Sequence, residues 1–127
     1  MVAALDLPTN FRRLRLELAR EPGRPEGDRD DAYLLVVPLL SDGRLDPVTF
    51  EDHRDACRAV RETPDGERRS GRMVRGPGGR WLIRYGEDED VDVGFRFDQE
   101  RFVPGEYISL THDGVEHTYR VVTREML

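Results

Sequence analysis

Apolar and polar residues alternate along most of this chain, and the alternation reads as β-structure. Over residues 11–20, Leu14, Leu16 and Leu18 share one face while Arg13, Arg15 and Glu17 take the other, the pattern of a half-buried strand. Residues 32–40 are apolar on both faces and read as a central strand, with Pro38 marking a sheet edge or a bulge near the end. Residues 69–75 and 80–85 flank Gly76-Pro77-Gly78-Gly79 as a hairpin-like pair, with Trp81, Ile83 and Tyr85 on one face. Residues 91–97 alternate again and put Val91, Val93, Phe95 and Phe97 together. Residues 107–111 and 116–123 surround Asp113-Gly114, the strongest short hairpin signal in the chain.

One stretch has helical character. Asp46 as N-cap and Pro47 at the first helical position open an amphipathic helix over about residues 47–61. Val48, His53, Ala56, Cys57, Ala59 and Val60 fall on one side; Glu51, Arg54, Asp55, Arg58 and Glu62 fall largely on the other. The second half of this stretch also fits a strand. Residues 21–31 carry Pro, Gly and charge and read as a flexible surface loop. The pattern predicts a mainly β (α+β) single domain over residues 1–127. It is a small antiparallel barrel or sandwich of about seven strands, with one amphipathic helix plugging an end.

Composition adds charge to this picture. Hydrophobic residues are 37% of the chain and charged residues 36%, so a small core must be woven round with charge. All 20 basic residues are arginine, which leaves no side-chain amine for a Schiff base. Residues 54–84 hold nine arginines against four acids, while the chain as a whole carries −6. An acidic total argues against general nucleic-acid binding, because phosphate contacts dominate that affinity. A local basic face still suits a small anionic ligand or a protein partner. Arg72, Arg75, Arg80 and Arg84 are the candidate contact residues. Arg75 and Arg80 flank the glycine-rich turn, whose backbone N–H groups could hold a phosphate, although Pro77 removes one donor.

Four residues form a second candidate set. His53 and Cys57 are four apart on the expected helix, and His112 and His117 are diagonal neighbours across the expected hairpin. A Cys-His-His-His set would suit zinc, or Cys57 could serve as a nucleophile beside a histidine. Neither spacing is a usual structural-zinc pattern, and Cys57 sits away from the helix N-terminus that would activate it. The simpler reading is a small buried thiol. Glu87-Asp88-Glu89-Asp90 with Asp92 lacks the calcium-loop pattern and reads as a solvated loop. A single cysteine fits a reducing compartment. No apolar run is long enough to span a bilayer, and MVAALDLPTN is no secretory signal, so the protein is read as cytoplasmic with no membrane contact.

Two resemblances follow from particular residues. Phe102-Val103-Pro104-Gly105-Glu106-Tyr107 resembles the turn-and-strand phrase of the flavin-binding barrel in ferredoxin-reductase-type enzymes. That family pairs an arginine with a Tyr-Ser on a neighbouring strand. Tyr119-Arg120-Val121-Val122 has a different order and no serine, so no flavin or other cofactor is implied. Pro38-Leu39, residues 52–57, Pro77-Gly78-Gly79 with Trp81, residues 102–107 and residues 118–121 together resemble a family of short uncharacterised bacterial proteins. That resemblance spans most of residues 33–123 and implies a compact domain with no assigned activity.

These readings converge on a non-catalytic binding module that uses an arginine-rich surface and exposed barrel strands. Edge strands would also allow self-pairing into a homodimer. The alternative is a metal-binding protein or a cysteine/histidine-dependent enzyme using His53, Cys57, His112 and His117.

Overall fold

In the computed structural model, which describes residues 7–86 and 90–127, eight antiparallel strands follow one another in chain order and close into a barrel. They are β1 (Phe11–Leu18), β2 (Asp28–Pro38), β3 (Arg58–Glu62), β4 (Arg68–Arg75), β5 (Trp81–Arg84), β6 (Val91–Gly94), β7 (Tyr107–His112) and β8 (Val115–Met126). Closure falls to β8, whose residues 115–120 pair with β7 while residues 119–126 pair with β1. Each strand is paired on both sides, so the edges that would have favoured a homodimer are consumed by closure.

Alternation decides which side chains enter the barrel. Leu14 and Leu16, Leu35 and Val37, Trp81 and Ile83, Ile108 and Leu110, and Val121 are buried almost completely. The helix α1 (Pro47–Asp52) covers the end of the barrel where β5 begins, and its Phe50 ring meets Trp81 edge-on at 4.6 Å. Asp46 caps it as expected, accepting from the Val48 and Thr49 amides at 3.1 Å and from the Thr49 hydroxyl at 2.6 Å. At the opposite end the inward positions turn polar: Asp31, Arg61, Tyr85, Asp92 and His112. The expected Asp113-Gly114 turn joins β7 to β8, with φ of 49° and 77°.

Three expectations need correction. The helix expected over 47–61 stops at Asp52, a short 3₁₀ turn follows at Arg54–Ala56, and Arg58–Glu62 is the strand β3, which brings the seven expected strands to eight. A strand there bonds to β2 and β4 at once, whereas a longer helix would have left each of them with one unpaired edge. The loop expected over 21–31 is shorter, because residues 28–31 already belong to β2. Glu21 and Arg24 exchange two backbone hydrogen bonds, and a Cβ at Gly27 would lie 2.3 Å from the Leu18 carbonyl, so only glycine fits.

The third correction concerns β6. The strand ends at Gly94, and its inward residues are Asp92 and Gly94, not Val91 and Val93. Phe95 is exposed, while Phe97 returns through a turn and lays its ring over Gly94. Asp92, assigned from sequence to a solvated acidic loop, is fully buried. Of that loop, Glu87, Asp88 and Glu89 lie outside the described residues.

Candidate functional site

Strand pairing assembles an arginine row on the outer wall. Arg58 of β3 stands directly opposite Arg72 of β4, and Arg72 directly opposite Arg84 of β5. All three are exposed. Adjacent strands lie ~4.8 Å apart, so the three side chains leave the wall within about 10 Å. Like charges in directly opposed positions repel. Neighbouring arginines discharge theirs on acids: Arg61 on Asp31 at 2.6 Å, Arg68 on Glu62 at 3.4 Å, Arg69 on Asp90, and Arg75 on Asp98 at 3.3 Å. Arg58, Arg72 and Arg84 enter no ion pair among the described residues.

A groove of about 440 Å³ runs between this row and α1. Val74 and Leu82, paired across β4 and β5, line its apolar part; Arg54, Arg72, Arg75 and Arg84 supply cations, and Glu51 and Asp55 supply acids. The structure thus brings together three of the four arginines expected as contacts. Arg75 is the most constrained of them, since it lies 4.7 Å over the Trp81 ring and donates to the Gly79 carbonyl at 3.1 Å. Arg80 is turned elsewhere, toward the Pro77 carbonyl at 3.2 Å and the Phe95 ring at 5.8 Å. Both arginines beside the glycine-rich turn therefore bond to the turn's own carbonyls. Arg58 was missed because a helical reading put it on a different surface.

The polar end of the barrel holds a second constellation. Asp92 accepts hydroxyl hydrogen bonds from Tyr33 at 2.5 Å and Tyr85 at 2.7 Å on one oxygen, and faces His112 Nδ1 at 2.5 Å with the other. Burial, reinforced by the Asp92 charge, pushes both tyrosine hydroxyls far above the ordinary phenol range, so they act as donors. Beside them Tyr119 donates to Asp31 at 2.8 Å, and burial pushes its hydroxyl up as well. Arg61 binds Asp31 and lies 4.7 Å over the Tyr33 ring; Arg69 lies 4.6 Å over Tyr85. Gly71 makes the room, because a Cβ there would come within 3.0 Å of the Tyr85 ring. The hydroxyls and carboxylates of this network are spent on one another, which suits a pin within the fold better than a ligand cradle. Its sequence signal was the pair of inward tyrosines, whose buried hydroxyls each need a partner.

The four candidate metal or nucleophile residues do not meet. His53 packs edge-on against Phe11, ring centroids 6.0 Å apart, at the helix-capped end. Cys57 is fully buried next to it, its thiol directed at the His53 carbonyl at 3.5 Å. Burial pushes that thiol up to about 12, so it stays protonated and unreactive at neutral pH. The hairpin register is the expected one, Leu110 opposite His117 and His112 opposite Val115. Yet His112 bonds to Asp92, while His117 bonds to Glu21 at 3.0 Å. Among the described residues, no group of three or more His, Cys, Asp or Glu side chains is placed to hold a metal ion. No helix of the described residues is long and apolar enough to cross a membrane. Comparison with protein-family models, curated proteins and solved structures found no match.

Proposed function

We propose that this chain is a non-catalytic binding module whose contact surface is the Arg58–Arg72–Arg84 row, and that its ligand is a small, multiply charged phosphate ester. The observation that carries this reading is the row itself: three arginines directly opposed across adjacent strands that enter no ion pair among the described residues. A compact polyanion would relieve their repulsion, and the planar guanidinium fork suits phosphate oxygens. The adjoining groove is of small-ligand size, and its Val74–Leu82 floor offers apolar contact to the remainder of the ester. A chain of net charge −6 repels an extended polyanion, so the row favours a compact anion over nucleic acid. No cofactor takes part. A single cysteine, left as a free thiol, fits a reducing compartment and supports a cytoplasmic setting for this module.

Calorimetric titration with inorganic tripolyphosphate tests the reading. Binding should be present at low salt and weaken as salt is raised. Arg72→Gln and Arg84→Gln should each lower the affinity at least about tenfold, which is ~1.4 kcal/mol. Arg20→Gln, far from the row, should bind as the unaltered protein does. Absence of binding, or full affinity in both row variants, would reject the proposal.

A further inference from the structure

The groove beside the arginine row carries charge of both signs, and only part of that charge is spent within the fold. Arg75 is engaged by Asp98 and by the Trp81 ring. Arg54 and Glu51, 3.9 Å apart on the helix side, offset each other. Three lining residues enter no ion pair among the described residues: Arg72 and Arg84 on the barrel wall, and Asp55 on the 3₁₀ turn that follows α1.

Backbone pairing sets their order. Val74 and Leu82, directly opposed, lie two residues from Arg72 and Arg84 on the same outer face, about 7 Å along the strands. A Cβ at Gly76 would come 2.8 Å from Leu82 Cδ1, so glycine leaves this leucine its place in the floor. The turn that carries Asp55 is tied to the same wall, because the Met73 amide donates to the Cys57 carbonyl at 3.1 Å. Cations, an apolar floor and an unneutralised carboxylate therefore border one groove.

We infer that, given the anion-binding reading of the row on which this rests, the ligand is a small, soluble phosphate ester that also bears an amine. Its phosphate sits on Arg72 and Arg84, a short carbon chain crosses Val74 and Leu82, and its ammonium group meets Asp55. A ligand anionic throughout would satisfy the arginines and bring like charge against Asp55 and Glu51. A wholly apolar far end would strip water from the Asp55 carboxylate and leave it without a partner. An ammonium group supplies a charge-assisted hydrogen bond there and matches the charge pattern of the groove. The same carboxylate that attracts the amine then selects against polyphosphates.

Calorimetry with alkyl and aminoalkyl phosphates of matched chain length, two to six carbons, isolates the amine. At neutral pH the best-bound aminoalkyl phosphate should exceed its alkyl counterpart at least about tenfold in affinity. Asp55 is exposed, so Asp55→Asn leaves the core untouched. It should erase that preference and strengthen tripolyphosphate binding, opposite shifts that damage to the fold would not produce. Equal affinities for the matched pair, a preference that survives Asp55→Asn, or parallel losses of aminoalkyl phosphate and tripolyphosphate in that variant would each overturn the inference. Where the unaltered protein still binds tripolyphosphate through the row, such a result leaves the arginine row standing; where it does not, both readings fall. Cosedimentation with phosphatidylethanolamine vesicles by a protein that ignores the soluble esters would move the ligand to a lipid surface and overturn the soluble ester.

Discussion

At position 92 a carboxylate occupies an inward strand site that alternation reserves for hydrocarbon. Burying a charge is costly unless it is hydrogen-bonded, and Asp92 meets that condition with two tyrosine hydroxyls and an imidazole. Tyr33 comes from β2, Tyr85 from the residue just past β5 and His112 from β7, so no local window of sequence could gather all three at Asp92. Glu100 is the opposite case, a half-buried acid with one buried oxygen left unpartnered. A carboxyl whose pKa is raised in the folded state contributes stability that is fully present below the ordinary glutamate range, near pH 4, and is lost as pH rises through the raised value. Glu100→Gln keeps an acceptor for the Ser109 amide without the charge. Its melting temperature should match the unaltered protein near pH 4 and exceed it by a few degrees at pH 8. An equal melting temperature at pH 8 would show that the burial carries no cost.

Among the elements, β3 shows where periodicity stops being decisive. Ala56, Cys57, Ala59 and Val60 fit one side of a helix, and Cys57, Ala59 and Arg61 fit the inner face of a strand equally well. A run this short does not separate the two periods. Bonding to β2 and β4 on both edges resolves it as a strand. Where a signal is steric and local it was legible: the Asp46-Pro47 helix start and the Asp113-Gly114 hairpin both stand as read. At the end of β6, Gly94 carries the turn that sends Phe97 back into the core. A Cβ there would lie 2.4 Å from the Phe97 ring, which is itself packed edge-on against Phe102. Gly94→Ala should therefore cost about 1–3 kcal/mol in urea denaturation by overpacking. Unchanged stability would mean that the ring is not seated on the glycine.

Across the whole molecule the closed ladder makes the strands depend on one another. Leu16 is fully buried on β1, which bonds to β2 on one side and to β8 on the other. Leu16→Ala should lower the unfolding free energy by about 2–5 kcal/mol, with far-UV circular dichroism and Trp81 fluorescence following one transition. Separate transitions would divide the barrel into independent parts. The arginine-rich middle of the chain is likewise divided by closure. Alternation turns Arg61 and Arg69 toward the polar end of the barrel interior, where they meet Asp31 and Asp90, and turns Arg58, Arg72 and Arg84 outward into a row. The mainly β character, most strand positions, the helix start and the concentration of arginine were determined by the sequence alone, because each rests on spacing within a few residues. The strand β3, the inward placement of Asp92, the separation of His53 and Cys57 from His112 and His117, and the arginine row were decided only by tertiary structure. Each depends on which strand lies beside which, and pairing between segments far apart in the chain leaves no mark within either one.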